Sequence, residues 1–562
     1  MPPPPHRRRC RINFLSLLRR AAGVLFALVI GAGLLAGGRL SDARWLAILG
    51  VGGLLLLVAV WPALPRGVPT TARTTVRLGV LMAVAFLLLS VQLFRIQVVQ
   101  RAAIAGRVGQ DPETGEVLAN PRMQGADLHA RRGRIYDRAG TVLADTVFEG
   151  ETARRVWPEP ESAYLVGYFS PLLYGEVGLE EAYDDELSGR EGGNAITREI
   201  DGLLGRPPAG LDLHLTLDAG LQRYAHELLA GRPGAAVLLD VETGEVVALA
   251  SNPHYDPNRL FTNSPAERDG AAAYWDTLVG DGGAPLVPRA TEGLFTPGST
   301  FKVVSAAAVL DAGFAEVGTV YEDDGALNVD GRVIVEQNRP DETQTEWALV
   351  EGMAWSLNVV FARVGLQLGP ELMRRYAEAF GFESEVPFDL PVARSRIAST
   401  PDFLRSAPAL ADTAFGQGEL QATPLLMALA TAAVANGGKL PRPSLVERVT
   451  SPTGATVWEA DPAVWRRAVE AEAAAATAGM MVSTVEWGVA QPALIEGAEV
   501  GGKTGTAETG DGRDPHAWFV GFAGPAGEAP RYAVAVVLEH GGSGLGEALP
   551  VGRDLLAAAL AG

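Results

Sequence analysis

The chain has 562 residues, too many for one ordinary domain, and a net charge of −19 from 47 basic and 66 acidic side chains. Residues 1–100 carry 12 Arg against the single acid Asp42, a net of +11, so the remainder stands at −30. So acidic a body repels a phosphate backbone, which argues against nucleic-acid binding as the main function. A hydrophobic content of 48% excludes a disordered chain, and a lone cysteine, Cys10, excludes a disulfide framework.

Three uncharged apolar runs open the chain: Ala21–Gly38, Trp45–Leu64 and Leu78–Phe94, of 18, 20 and 17 residues. About 20 helical residues cross a bilayer, so three transmembrane helices are expected over 21–38, 45–64 and 78–99, the last extended if Arg95 snorkels. Arg7, Arg8, Arg9, Arg11, Arg19 and Arg20 hold the N-terminus (1–20) in the cytoplasm. Arg66, Arg73 and Arg77 place the second loop there too, so everything after residue 100 is expected outside.

Residues 100–215 mix short apolar runs with Pro and Gly, and predict a small mixed domain. Strands are expected at Val142–Leu143, Val156, Tyr164–Phe169 and Leu172–Tyr174. From residue 216 the pattern turns to α/β (α+β): a helix near Ala219–Ala230, then a hairpin of Ala235–Asp240 and Glu245–Ser251 turning at Gly244. Helical stretches dominate from Ser299 to about Met481. Strands return near Lys503, at Ala517–Ala523 and at Tyr532–Glu539, followed by an apolar terminal helix. Sheet-forming segments on both sides of a helical insert predict one two-lobed domain, 216–562, with a central sheet and a helical lobe.

Only three of the 47 basic side chains are lysines: Lys302, Lys439 and Lys503. Arginine serves a solvated surface equally well, but it does not give up its proton near neutral pH. Ser299-Thr300-Phe301-Lys302 follows the turn Thr296-Pro297-Gly298 and opens an apolar helical run. Residues i and i+3 share a helix face, so the Lys302 amine can reach the Ser299 hydroxyl and act as the base a serine nucleophile needs. Lys503-Thr504-Gly505-Thr506 begins a strand, and its ammonium and two hydroxyls suit a carboxylate. Ser356-Leu357-Asn358 lies between them before a helical run, and reads equally well as a helix cap when taken alone.

The three motifs in this order form a set common to penicillin-binding proteins and class A β-lactamases. Here the chain resembles the class B penicillin-binding proteins, the peptidoglycan D,D-transpeptidases, most closely the short penicillin-binding protein A group. Phe415-Gly416-Gln417-Gly418 with Thr423-Pro424, His516-Ala517-Trp518-Phe519, and the upstream Arg132-Gly133-Arg134-Ile135-Tyr136-Asp137-Arg138 are similar to that family's segments. The resemblance covers about residues 130–562, with 100–215 as a membrane-proximal pedestal. It implies Ser299 as nucleophile toward a stem peptide ending in D-alanyl-D-alanine, Lys302 as base, and Ser356 as proton relay. Asn358 would hold Lys302 and the substrate amide, while Lys503, Thr504, Gly505 and Thr506 line the substrate site. It also implies acylation by β-lactam antibiotics and no metal or cofactor. A bacterial cell-membrane location and a separate membrane-embedded glycan-strand polymerase as partner follow from it.

The family usually has one membrane span where three are read here. A D,D-carboxypeptidase shares all three motifs. A class A β-lactamase needs a Glu with Asn three residues later. The single Asn between Asn358 and Lys503 is Asn436, with Ala433 at that spacing. A β-lactam-sensing membrane protein would carry a His-Glu-x-x-His motif near its spans, where residues 1–128 hold only His6. A scaffold with a dead site is the remaining alternative.

Overall fold

The computed structural model describes residues 14–36, 40–65, 67–100, 109–110, 117–118, 131–150, 152–190, 209–229, 231–262, 265–400, 402–510 and 512–562. The chain forms two compact units, Met1–Gly125 and Ala126–Gly562.

In the first unit, helices α1 (Phe14–Leu35), α2 (Asp42–Val60) and α3 (Thr70–Phe94) are each long and apolar enough to cross a membrane. Each starts before its apolar run and takes in arginines there: Arg19 and Arg20 in α1, Arg44 in α2, Arg73 and Arg77 in α3. Gly33 packs against Trp45 and Gly52 against Ile30, close approaches that a Cβ would block. Arg95 is buried at the end of α3. It lies 4.9 Å from the Trp45 ring and 3.2 Å from Asp42, while Trp45 donates to Gln92.

The second unit begins with β1 (Ile135–Tyr136), β2 (Val142–Glu149) and β3 (Thr152–Val156), then β4 (Asp212–Leu215) and helix α4 (Ala219–Leu229). The hairpin follows as β5 (Gly234–Asp240) and β6 (Val246–Asn252). The helical lobe holds α5 (Lys302–Asp311), a β7–β8 hairpin (Ala326–Val329, Arg332–Val335), α6 (Leu349–Ala354), α7 (Asn358–Ala379) and α8 (Pro424–Ala435). Then come β9 (Val446–Thr450), β10 (Thr456–Glu459), α9 (Ala471–Glu486), β11 (Ala498–Ala507), β12 (His516–Pro525), β13 (Tyr532–Leu538) and α10 (Leu549–Ala561).

The central sheet is antiparallel in the order β6-β5-β13-β12-β11, which leaves β11 at an edge. Alternate residues of β5 and β13 feed two cores: Val237, Ala535 and Val537 on one face, Leu238, Val534 and Val536 on the other. Helix α8 covers the first face; α4 and α10 cover the second. With both faces covered, β5, β6 and β13 are buried almost along their whole length.

A second sheet runs β10-β9-β4-β1-β2-β3, so strands from residues 446–459 complete the sheet of the upstream segment. Beside it, buried Glu180 receives Arg155 Nε at 2.7 Å and Arg132 Nε at 2.8 Å. Burial pushes the Glu180 carboxyl up; the two guanidinium charges outweigh that and hold it below its usual range. Two expected strands here are not strands. Ala163–Val166 is a helical turn stopped by Gly167, and Leu172–Tyr174 lies in a turn region, with only Phe169–Ser170 extended. Both runs are apolar because they bury or stack aromatic rings: Tyr164 on Tyr255, Tyr174 on Trp275.

Candidate active site

Residues 299, 302, 356, 358 and 503 meet where α5, the α6–α7 link and the edge strand β11 converge. Ser299 is half-buried in a 3-10 turn, Gly298–Phe301, that runs directly into α5, so it is not a helix cap. The turn is held by neighbours far away in sequence. Gly298 N donates to Gly416 O at 2.9 Å, Trp518 Nε1 donates to Thr296 O at 3.0 Å, and Phe295 and Ala422 exchange backbone hydrogen bonds. Thr423 then caps α8 by accepting from Leu426 N, with Pro424 in its first turn. Gly416 has φ +91° and its missing Cβ would lie 1.7 Å from Gly298 O, so glycine is required there.

Every residue of α5 from Lys302 to Val309 is buried. The Lys302 Nζ donates to Ser356 O at 2.6 Å and Asn358 Oδ1 at 2.8 Å, and lies 3.3 Å from Ser356 Oγ. Lys503, expected on the carboxylate, turns its own buried Nζ to Ser356 Oγ at 2.7 Å and Thr504 O at 2.9 Å. Ser356 is therefore the bridge between two buried amines. It occupies the short link between α6 and α7 with φ +61°, a conformation that costs a non-glycine residue about 1–3 kcal/mol. Among the described residues the Ser299 hydroxyl makes no hydrogen bond. A nucleophile–base contact that closes only with substrate bound is common in such sites.

Burial pulls the Lys302 amine down to about 7, against a partial upward pull from Glu336. Lys503 is lowered well below its usual range by burial and then by the charge of Lys302. Two amines sharing one hydroxyl titrate as a pair. The cluster thus supplies what the sequence alone left open: a lysine that is a free base near neutral pH.

Thr504 is buried and Thr506 is exposed on the edge strand. Gly505 packs closely against the turn that carries Ser299. A Cβ there would lie 2.9 Å from Pro297 O and 3.0 Å from Thr300 Cγ2, so β11 rests directly on the Ser299 turn. Gly505→Ala is expected to destabilise the domain by about 1–3 kcal/mol through overpacking, read as a lower urea midpoint. Lys439 is exposed, on a separate strand outside the cluster.

The penicillin binding protein transpeptidase domain matches residues 234–557, more than half of the chain, and contains every one of these groups. The chain belongs to the penicillin-binding protein transpeptidase family. A penicillin binding protein A dimerisation domain matches residues 132–213, the segment that carries β1 to β3 and the Glu180 network. The peptidoglycan D,D-transpeptidase PbpA of Mycolicibacterium smegmatis is 34% identical over 497 residues, covering 85% of this chain and 98% of that protein. Its namesake in Mycobacterium tuberculosis is 35% identical over 465 residues, covering 79% and 92%. The ceftriaxone acyl-enzyme complex of M. tuberculosis penicillin-binding protein A superposes with a TM-score of 0.71 at 33% identity, covering 77% of this chain and 99% of that one. Its penicillin G acyl-enzyme complex gives 0.70 at 34% identity, with 77% and 100% covered.

The penicillin-binding protein fold also accounts for segments without chemistry of their own. The Gly416–Pro424 stretch and Trp518 fix the Ser299 turn, and His516 packs its ring against Phe295. Sequence reading missed Glu336, which faces the cluster from the end of the β7–β8 hairpin. Nothing in its local spacing marks it among the 66 acidic residues.

Proposed function

We propose that the chain is a peptidoglycan D,D-transpeptidase that cross-links stem peptides through an acyl-enzyme on Ser299. The observation carrying this reading is the Lys302 amine, buried and pulled to about 7 yet hydrogen-bonded to both Ser356 and Asn358. The relatives named as D,D-transpeptidases and the β-lactam acyl-enzymes of its structural neighbours support it.

In this mechanism Ser299 Oγ attacks the carbonyl between the two terminal D-alanines and its proton passes to Lys302 Nζ. The Ser299 and Thr506 N–H groups receive the oxyanion, each worth about 3 kcal/mol. The C–N bond breaks as Ser356, fed by Lys302 and Lys503, delivers a proton to the departing D-alanine. Thr504 and Thr506 hold the terminal carboxylate, and Lys503 acts through Ser356. An amine from a neighbouring strand then attacks the ester, loses its proton to the same relay, and releases Ser299. β-Lactams follow the first half and stay attached.

Topology and partner belong to the same reading. The basic N-terminal segment lies inside, three spans follow, and everything after residue 100 stands outside the cell membrane, where peptidoglycan is built. A separate membrane-embedded polymerase, the partner that the family resemblance implies, supplies the glycan strands.

The pH dependence tests the base directly. Lys302 accepts a proton only when neutral, so acylation by penicillin should rise with pH through about 7 and level off above it. A rate flat between pH 5.5 and 8 would remove Lys302 from the role.

A further inference from the structure

We propose that Glu336 is a positioning residue for acyl transfer at Ser299: its carboxylate clamps the first turn of α7 and sets the charge facing the buried lysine pair. The inference rests on the transpeptidase reading above.

Three observations carry it. Glu336 directly follows β8, and its own N–H donates to Gly325 O at 2.9 Å, tying it to the base of the β7–β8 hairpin. Its Oε2 accepts from Val359 N at 2.9 Å, and its Oε1 accepts from Gln337 N at 3.0 Å. Val359 N is one of the first-turn donors that a helix leaves without an internal partner, and the cap residue Leu357 has no side chain to satisfy it. A carboxylate 23 residues earlier in the chain serves instead, at the helix end where the backbone dipole favours negative charge. Val359 is the next residue after Asn358, whose Oδ1 holds the Lys302 amine. The clamp is thus one peptide from the group that aims the base.

Among the described residues the charged groups that act on the Lys302 amine are Lys503 on β11 and Glu336; Ser356, Asn358 and the Phe361 ring also face it. Glu336 opposes the effect of burial on Lys302. Removing that charge therefore lets the amine lose its proton at lower pH.

Glu336→Gln keeps an acceptor for Val359 N and deletes the charge; Glu336→Ala deletes both. The test is the pH profile of penicillin acylation in the full chain in detergent, read by intact mass, with thermal melting alongside. In Glu336→Gln the acid limb should move down by about 0.5–1 pH unit, making acylation at pH 5.5 about three- to tenfold faster than wild type. In Glu336→Ala the limb should move equally and the plateau rate should fall about tenfold, as Asn358 loses its support. A merely structural residue would lower the melting temperature in both variants and leave the limb in place. A Gln profile that overlays wild type, or moves to higher pH, overturns the inference while leaving the transpeptidase reading intact. A wild-type chain that takes no penicillin overturns both.

Discussion

Lys302→Arg is expected to slow acylation of Ser299 by about 10²–10⁴-fold, the usual contribution of a positioned general base. Arginine keeps a positive charge and can still donate to Ser356 O and Asn358 Oδ1, the two closest partners of Lys302 Nζ. It does not release its proton at any pH the protein survives. The variant therefore separates charge from basicity, which an alanine substitution would not. The Lys302 side chain is fully buried, so some loss of stability from the larger head group accompanies the change. The rate constant for penicillin acylation measures it, and the pH limb near 7 should disappear together with the rate. A variant within tenfold of wild type would mean that another group takes the Ser299 proton.

Ser356→Ala is expected to cost about 10²-fold or more in acylation, and more in turnover of a D-alanyl-D-alanine peptide. The hydroxyl joins the two amines, at 2.7 Å from Lys503 Nζ and 3.3 Å from Lys302 Nζ. Without it Lys503 keeps only Thr504 O, and a buried donor left unpaired costs about 1–3 kcal/mol. The backbone at φ +61° strains alanine as it strains serine, so that substitution leaves the strain unchanged. Ser356→Gly relieves the strain and should raise the melting temperature relative to the alanine variant, with the same loss of rate. Turnover surviving in either variant would assign the leaving-group proton to a different donor.

The candidate cluster is legible because lysine is so rare in this chain that Lys302 and Lys503 stand out, and each sits in a motif with a serine or threonine. The hairpin and terminal strands were legible for a different reason: Ala235–Asp240 and Tyr532–Leu538 are apolar runs of strand length bounded by turn residues. What pattern could not supply was every relation made at long range. Lys503 looks like a carboxylate ligand in sequence, and only the convergence of β11 with the α6–α7 link turns it to Ser356. The close packing of Gly505 on Pro297 and Thr300 is likewise a contact between segments far apart in the chain that no local spacing shows. The run Tyr164–Phe169 has strand-like composition, and its burial among Tyr255, Tyr274 and Leu278 bends most of it into a helical turn. Glu336 had no signal at all, since its partner lies on a helix 23 residues away.

The central claim, that Ser299 carries the acyl group, is tested most directly by intact mass of the full chain in detergent after penicillin, followed over hours beside Ser299→Ala. A lasting one-to-one adduct on the wild type, located on Ser299 and absent from the variant, is the predicted result. An adduct that forms on Ser299→Ala as readily as on wild type, or a wild type that takes none, would contradict it.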